Sequence, residues 1–424
     1  MQKRSGTVSA TLDNLQTLYF VNASLGTPPQ NVRLHIDTGS SDMWVNTPGS
    51  DLCSSRKQRC AESLTYTANY SSTYSYVSND FNISYVDGSG AAGDYATDTI
   101  RIAGASMTSF QFGVGYSSTS AQNVLGIGYP AIEVQVVRSH LEPYDNLPAK
   151  MVADGLTASS AFSLWLNDLD ASAGNVLFGG VDRERFDGSL VSVPIQEVNN
   201  AHSEFFITMT GLNIGSNNVA RDVALAVLLD SGSSLSYLPA SIVESIYSEV
   251  GATYVDAKDV ALVDCSLKRQ DATLTFNFSS PASVTVPMNE MVLDVPDTPE
   301  GRLTLENGDP VCLFGILPAG ESPSVLGDTF LRSAYVVYDT DNNAIALANT
   351  RFNVTTSNQV EINNGSSIPY AIKASNPIKA TSGLPGKGGG RFSSLETGNT
   401  ATSLVPSFPS LTMILVCIMA GALV

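Results

Sequence analysis

The chain has 424 residues, with 40 Asp plus Glu against 22 Lys plus Arg and a formal net charge of -18. That length supports two to three domains of about 150 residues, each with its own core, and excludes a miniprotein held together by cross-links. The acidic field disfavours nucleic acid as a partner. Residues 1–11 read as an N-terminal extension: no apolar run follows Met1, so no signal peptide is visible, and Lys3-Arg4 is either the remnant of a dibasic propeptide cut or an ordinary basic start. From there to 195 the pattern is a first β lobe. An aromatic strand start at Tyr19-Phe20 leads to Val32-Arg33-Leu34-His35-Ile36-Asp37-Thr38-Gly39-Ser40-Ser41, an apolar alternating strand that stops at Asp, a hydroxyl residue and Gly. A Ser-, Tyr- and Cys-rich stretch, 51–76, carries the basic run Arg56-Lys57-Gln58-Arg59 and reads as a surface loop or a substrate-screening loop. Phe81-Asn82-Ile83-Ser84-Tyr85 then forms a strand before Asp87-Gly88-Ser89-Gly90, a strong hairpin-turn composition.

The second β lobe spans 196–355, with the crossing near Pro194-Ile195-Gln196. It repeats the device of the first. Phe205-Phe206 precedes Ala226-Val227-Leu228-Leu229-Asp230-Ser231-Gly232-Ser233-Ser234, and each copy is followed about 90 residues later by an apolar-Gly unit, Val124-Leu125-Gly126-Ile127-Gly128 or Val325-Leu326-Gly327-Asp328. Strands are expected at Val176-Leu177-Phe178, Thr273-Leu274-Thr275-Phe276 and Tyr335-Val336-Val337-Tyr338. A helix is expected over 239–250, where Ile242, Ile246 and Val250 recur at helical spacing.

Beyond 355 the alternation stops. Residues 356–410 read as a Ser/Gly/Asn-rich linker unable to bury a core, and 411–424 as a nearly all-apolar tail. A spanning helix wants about 20 such residues. Small residues at Gly398 and Asn399, a spacer of about nine positions and an apolar end match a GPI-anchor signal, with a single-pass tail anchor or a buried element as the competing readings. Five cysteines are present, and loss of the tail with Cys417 leaves four, which allow three pairings. The local arrangement favours Cys53 with Cys60 and Cys265 with Cys312, each stapling one loop within one half; metal binding competes weakly, without a C-x-x-C spacing or a His cluster. Asn22, Asn69, Asn82, Asn277, Asn353 and Asn364 open N-glycosylation triplets, a number that chance in a chain rich in Asn, Ser and Thr also supplies. Together these ends and cysteines point to the secretory pathway and the outer cell surface.

Two strand-end carboxyls on a pseudo-twofold suit hydrolysis of an amide, which needs water deprotonated and the carbonyl oxygen or leaving nitrogen protonated in one site. If Asp37 and Asp230 approach to about 3 Å they share one proton, as is general for aspartic-protease dyads. Gly39 and Gly232 permit the tight turn after each Asp. Taken in order, Asp37-Thr38-Gly39-Ser40-Ser41 with Trp44, Ile83-Ser84-Tyr85-Val86-Asp87-Gly88-Ser89-Gly90, Asp230-Ser231-Gly232-Ser233-Ser234 and Val325-Leu326-Gly327-Asp328-Thr329-Phe330 resemble a pepsin-type aspartic protease over about residues 15–352, and the anchored tail resembles the fungal yapsin branch.

That resemblance implies a mostly β, bilobal fold with a pseudo-twofold axis and a central cleft, acting as a monomer on peptides or proteins without cofactor or metal. It further implies that Thr38, Gly39, Ser40, Ser231, Gly232 and Ser233 support the dyad, Ser40 and Ser233 by donating to the outer carboxyl oxygens. Tyr85, Asp87 and Gly88 belong to a flap over the cleft, Trp44 props Tyr85 through a hydrogen bond, and Val124 lines S1 with Tyr85. Asp87 resembles an acidic flap residue that accepts Lys at P1, and the net charge favours basic peptides; the same Asp also suits a turn. The short basic loop at 51–76 departs from the longer acidic insertion of many yapsin relatives, which counts against strict paired-basic recognition. Acidic working pH follows from the excess of carboxylates. Three alternatives share these residues: a noncatalytic peptide-binding wall protein, a broad pepsin-like protease with hydrophobic P1, and a glycan-active enzyme, whose carboxylates stand about 5–9.5 Å apart.

Overall fold

Alternation of buried and exposed side chains along Val8–Asn14, and near-complete burial at the end of Gln30–Asp37, mark the first as a half-exposed strand and the second as a central one. In the computed structural model, which describes residues 6–55, 59–295, 303–305 and 308–386, both lie in one 14-stranded sheet. Its outer part is the first lobe. There Gln30–Asp37 pairs in parallel with Asn123–Gly126, and the long strands Ser75–Ser84, Gly90–Ile102 and Ala105–Ser118 form the far edge.

The sheet also crosses the expected lobe boundary. Ala334–Asp339 and Ala344–Thr350, from the second half, hydrogen-bond to Phe162–Trp165 and Phe186–Pro194 from the first. The two halves therefore share a platform beneath the cleft, and the rest of the second lobe consists of a five-stranded and two four-stranded sheets among the described residues. Aromatic rings seal the junction. Tyr338 stacks on Phe162 at 4.9 Å and meets Phe205 edge-on at 4.6 Å. The expected helix is present as Ala240–Val250, burying Ile242, Val243 and Ile246 and closing at Gly251 in the left-handed region.

Both ends of the fold differ from the boundaries read in the sequence. Residues 8–11, placed in an extension, already pair with Ala173–Phe178. Residues 356–386, placed in a linker, form an ordered strap. Gln359–Glu361 pairs antiparallel with Gly180–Asp182, and Ala371–Lys373 runs parallel beside Phe186–Pro194. Ile362 and Ile368 are buried on the platform with Trp165, Val181 and Tyr335. The strap then crosses to the second lobe, where Ala380 N donates to Gln196 Oε1 (2.9 Å) and Ala226 N donates to Ser382 O (2.8 Å). Ile362 and Ile368 anchor it, while Tyr370, Ile372 and Ile378 stay exposed, and its two strands add to existing edges. The tail 411–424, the anchor candidates Gly398 and Asn399, and residues 56–58 of the basic run lie outside the described residues.

Candidate active site

Each sequence copy becomes the same local structure. Asp37 ends a strand paired in parallel with Asn123–Gly126, and Asp230 follows Leu225–Leu229, paired in parallel with Ser324–Leu326. The apolar-Gly units explain the tightness of both turns. A Cβ on Gly126 would stand 2.7 Å from Asp42 N, and one on Gly327 would stand 2.3 Å from Ser233 O, so in each lobe the backbone after the aspartate packs directly on glycine. Gly39 N donates to Asp37 Oδ1 (2.8 Å) and Gly232 N donates to Asp230 Oδ1 (2.9 Å). These bonds aim each carboxyl across the turn.

A reciprocal ladder locks the two turns to each other. Ser231 N donates to Thr38 Oγ1 (2.9 Å), which donates to Leu229 O (3.0 Å); Thr38 N donates to Ser231 Oγ (3.2 Å), which donates to Ile36 O (3.0 Å). All four bonds are buried and cross between the lobes. Asp37 and Asp230 are buried as well. A Cβ on Gly232 would stand 2.3 Å from Asp37 Oδ1 and 3.2 Å from Asp230 Oδ1, so the two oxygens are separated by at most the sum of those distances, about 5.5 Å. Residues 193 positions apart thus converge on one point that only glycine leaves open.

Ser40 Oγ donates to Asp37 Oδ2 as expected. Ser233 Oγ donates to Leu235 O (2.9 Å), within the turn of its own segment. Behind Asp230, Asp328 is fully buried, and burial holds its carboxyl well above the usual range, offset in part by Arg332. Arg332 forms a buried pair with Glu290 (2.6 Å). His35 is buried beside Phe20, and burial pushes its imidazole down to about 4 against the pull of the Asp230 carboxylate.

The hairpin at 84–90 closes as the turn composition implied: Gly88 N donates to Tyr85 O (3.0 Å) and Tyr85 N to Ser89 O (2.8 Å). Trp44 Nε1 donates to Tyr85 OH (2.8 Å). Burial first, and the nearby Asp37 carboxylate second, hold the Tyr85 hydroxyl well above the usual phenol range. Tyr85 packs on a small cluster of Trp44, Phe81, Ile83 and Val124, which brings the two residues assigned to S1 together. Asp87, exposed at the tip, accepts from Ser89 N (2.9 Å) and Ser89 Oγ (2.7 Å). It also reaches the opposite lobe electrostatically: burial, Asp259 and Asp87 together push the Tyr237 hydroxyl up to about 12.

One site-adjacent group has no motif in the sequence. Asp42 is fully buried and accepts from Tyr95 OH (2.6 Å), Tyr144 OH (3.0 Å) and Val134 N (2.8 Å). Beside it lies the fully buried Glu133, whose Oε2 accepts from Tyr144 N (2.8 Å). Burial, with Asp42 and Asp145 adding, pushes the Glu133 carboxyl up to about 9. Cys53–Cys60 and Cys265–Cys312 are both disulfides. Asp294 joins the second pair in a metal-like grouping, but its sulfurs are committed to each other. Of the glycosylation candidates, Asn22, Asn69, Asn82, Asn353 and Asn364 are exposed, whereas Asn277 is half-buried in a strand.

Paired, cross-linked Asp-Thr/Ser-Gly turns, with a tyrosine-bearing hairpin nearby, are the features that an aspartic protease shares. The eukaryotic aspartyl protease family matches residues 18–350, and the chain belongs to it. It is 55% identical over 384 residues to a probable aspartic-type endopeptidase, opsB, of Aspergillus oryzae, covering 89% of this chain and 78% of that one. The opsB counterpart of Aspergillus fumigatus is 49% identical, covering 96% and 84%. Aspartic proteinase 3 of Saccharomyces cerevisiae is 30% identical, covering 88% and 76%. Among solved structures, the aspartic proteinase of Irpex lacteus aligns with a TM-score of 0.65 at 20% identity, covering 83% of this chain and all of that one. The chain is an aspartic-type endopeptidase with a mostly β, bilobal fold.

Proposed function

We propose that the chain hydrolyses peptide bonds at acidic pH with a water held between Asp37 and Asp230, at the outer face of the cell on a GPI anchor, and prefers Lys or Arg next to the cleaved bond. The observation that carries the mechanism is the convergence of both carboxyl oxygens on the open space at Gly232. In that position one ionised carboxyl takes the proton of the water as it attacks the carbonyl carbon. The protonated partner hydrogen-bonds the carbonyl oxygen, and the dyad then returns a proton to the leaving nitrogen. The ladder from Thr38 to Ser231 keeps both turns in place during this exchange. Tyr85 stays protonated and lowers the flap over the substrate, excluding bulk water. An extended substrate lies across the cleft with alternate side chains in pockets, and one chain supplies both carboxyls, so a monomer is sufficient.

The basic preference rests on Asp87 at the flap tip, Asp259 near Tyr237 across the cleft, and the net charge of -18. A hydrophobic P1 preference is the second reading, favoured by the apolar wall of Tyr85 and Val124 and by the use of one Asp87 oxygen within the turn. The tail 411–424 supports the anchor, the disulfides and glycosylation triplets support a secretory route, and Gly398 and Asn399 are the attachment candidates. Incubating the purified chain with a mixed peptide library, with and without a statine-type transition-state inhibitor, tests the proposal. Inhibitor-sensitive cleavage beside Lys and Arg supports it. Inhibitor-resistant or absent cleavage removes the catalytic reading, and equal use of Leu and Phe at P1 removes the basic preference.

A further inference from the structure

Asn82 sits on the strand that leads to Tyr85, within the triplet Asn82-Ile83-Ser84. Its neighbours Phe81 and Ile83 turn inward against Trp44, so strand alternation throws Asn82 to the opposite, exposed face. That face carries a shallow depression. Asn82 with Asp80, Ala92, Gly93, Asp94 and Tyr116 lines a shallow, open groove of about 510 Å³. Two ladder irregularities open it, one between Ser78 and Phe81 and one between Ala92 and Gly93. Gly93 keeps the floor clear: a Cβ there would stand 1.9 Å from Val114 O and 3.1 Å from Tyr116 Cδ2. The Tyr116 ring, 46% exposed, forms a wall beside it.

We propose that Asn82 carries an N-linked glycan whose innermost sugars lie in this groove against Tyr116, bracing the outer face of the flap strand. What marks Asn82 is that the acceptor side chain itself lines the groove. A sugar ring offers an apolar face to the tyrosine and hydroxyls to the Asp80 and Asp94 carboxylates, a combination that suits a neutral saccharide. In the attachment step, the Asn82 amide nitrogen bonds to the anomeric carbon of a lipid-linked diphospho-oligosaccharide, supplied and catalysed by the secretory machinery. The bond from that carbon to the diphosphate oxygen breaks, its electron pair leaves on the lipid diphosphate, and the amide proton passes to a base. The inference rests on the secretory route proposed above.

The test uses the full chain secreted from a eukaryotic host. Glycopeptide mass spectrometry reads occupancy at each triplet, and a native endoglycosidase time course reads how fast each glycan is trimmed. The expected result is an occupied Asn82 trimmed about tenfold more slowly than Asn353, the change of one aromatic contact. Tyr116→Ser should leave Asn82 occupied and bring the two trimming rates together. An unmodified Asn82 beside occupied Asn353 or Asn364 overturns the inference alone, as does equal trimming in the unsubstituted chain. Absence of glycan at every triplet overturns it together with the secretory route.

Discussion

Glu133 ties stability to pH through a group that touches no substrate. Its carboxyl is fully buried beside Asp42, receives a bond from Tyr144 N, and is pushed up from 4.5 to about 9, chiefly by burial. Because the folded value lies above the unfolded one, the folded chain holds a proton that the unfolded chain releases. Its contribution is therefore complete below 4.5 and is lost as pH rises toward 9. Across that window the loss approaches about 6 kcal/mol, at about 1.4 kcal/mol per pH unit. The Asp42 carboxyl, also raised by burial, acts in the same direction. Glu133→Gln, which cannot ionise, should flatten the fall. Urea unfolding from pH 4 to 8, in a Asp37→Asn background that cannot digest itself, measures the slope of each. Parallel slopes for the two chains would refute the reasoning.

Three further outcomes follow from other parts of the fold. Ile362→Ala should cost about 2–5 kcal/mol in urea unfolding and Ile362→Val about 0.5–1.5 kcal/mol, since the strap buries this side chain completely; no change in either would mean that the strap does not belong to the cooperative fold. Thr38→Val leaves Ser231 N and Leu229 O without their partner, about 1–3 kcal/mol for each buried group, whereas Thr38→Ser keeps both bonds and should stay near the parent; equal loss in both would sink the hydroxyl's role. Asp87→Asn preserves the turn to Ser89 yet removes the charge, so kcat/KM for a Lys P1 peptide should fall about tenfold relative to its Leu counterpart, and an unchanged ratio would leave the basic preference without its residue.

The parts legible in the sequence are those that a local rule constrains. Asp37, Asp230 and the glycines after them repeat as a device, Trp44 and Tyr85 fall at fixed distances around it, and the cystines close within their own lobes. What escaped the reading was assembled at long range. Asp42, Tyr95, Glu133 and Tyr144 come from separate segments, and burial of a carboxyl leaves no mark on its neighbours in the chain. The strap at 356–386 looked too polar to fold because its order comes from edges supplied by residues 180–194 and 224–226.

The shared dyad is tested most directly by turnover of one quenched peptide at acidic pH by Asp37→Asn, Asp230→Asn and the double variant, with folding checked by urea unfolding. If the two carboxyls act as one unit, each single variant loses about 10²–10⁴-fold in kcat and the double loses no more than either. A single variant that keeps near-parental turnover, or losses that multiply in the double, would contradict the claim that one water is activated by both.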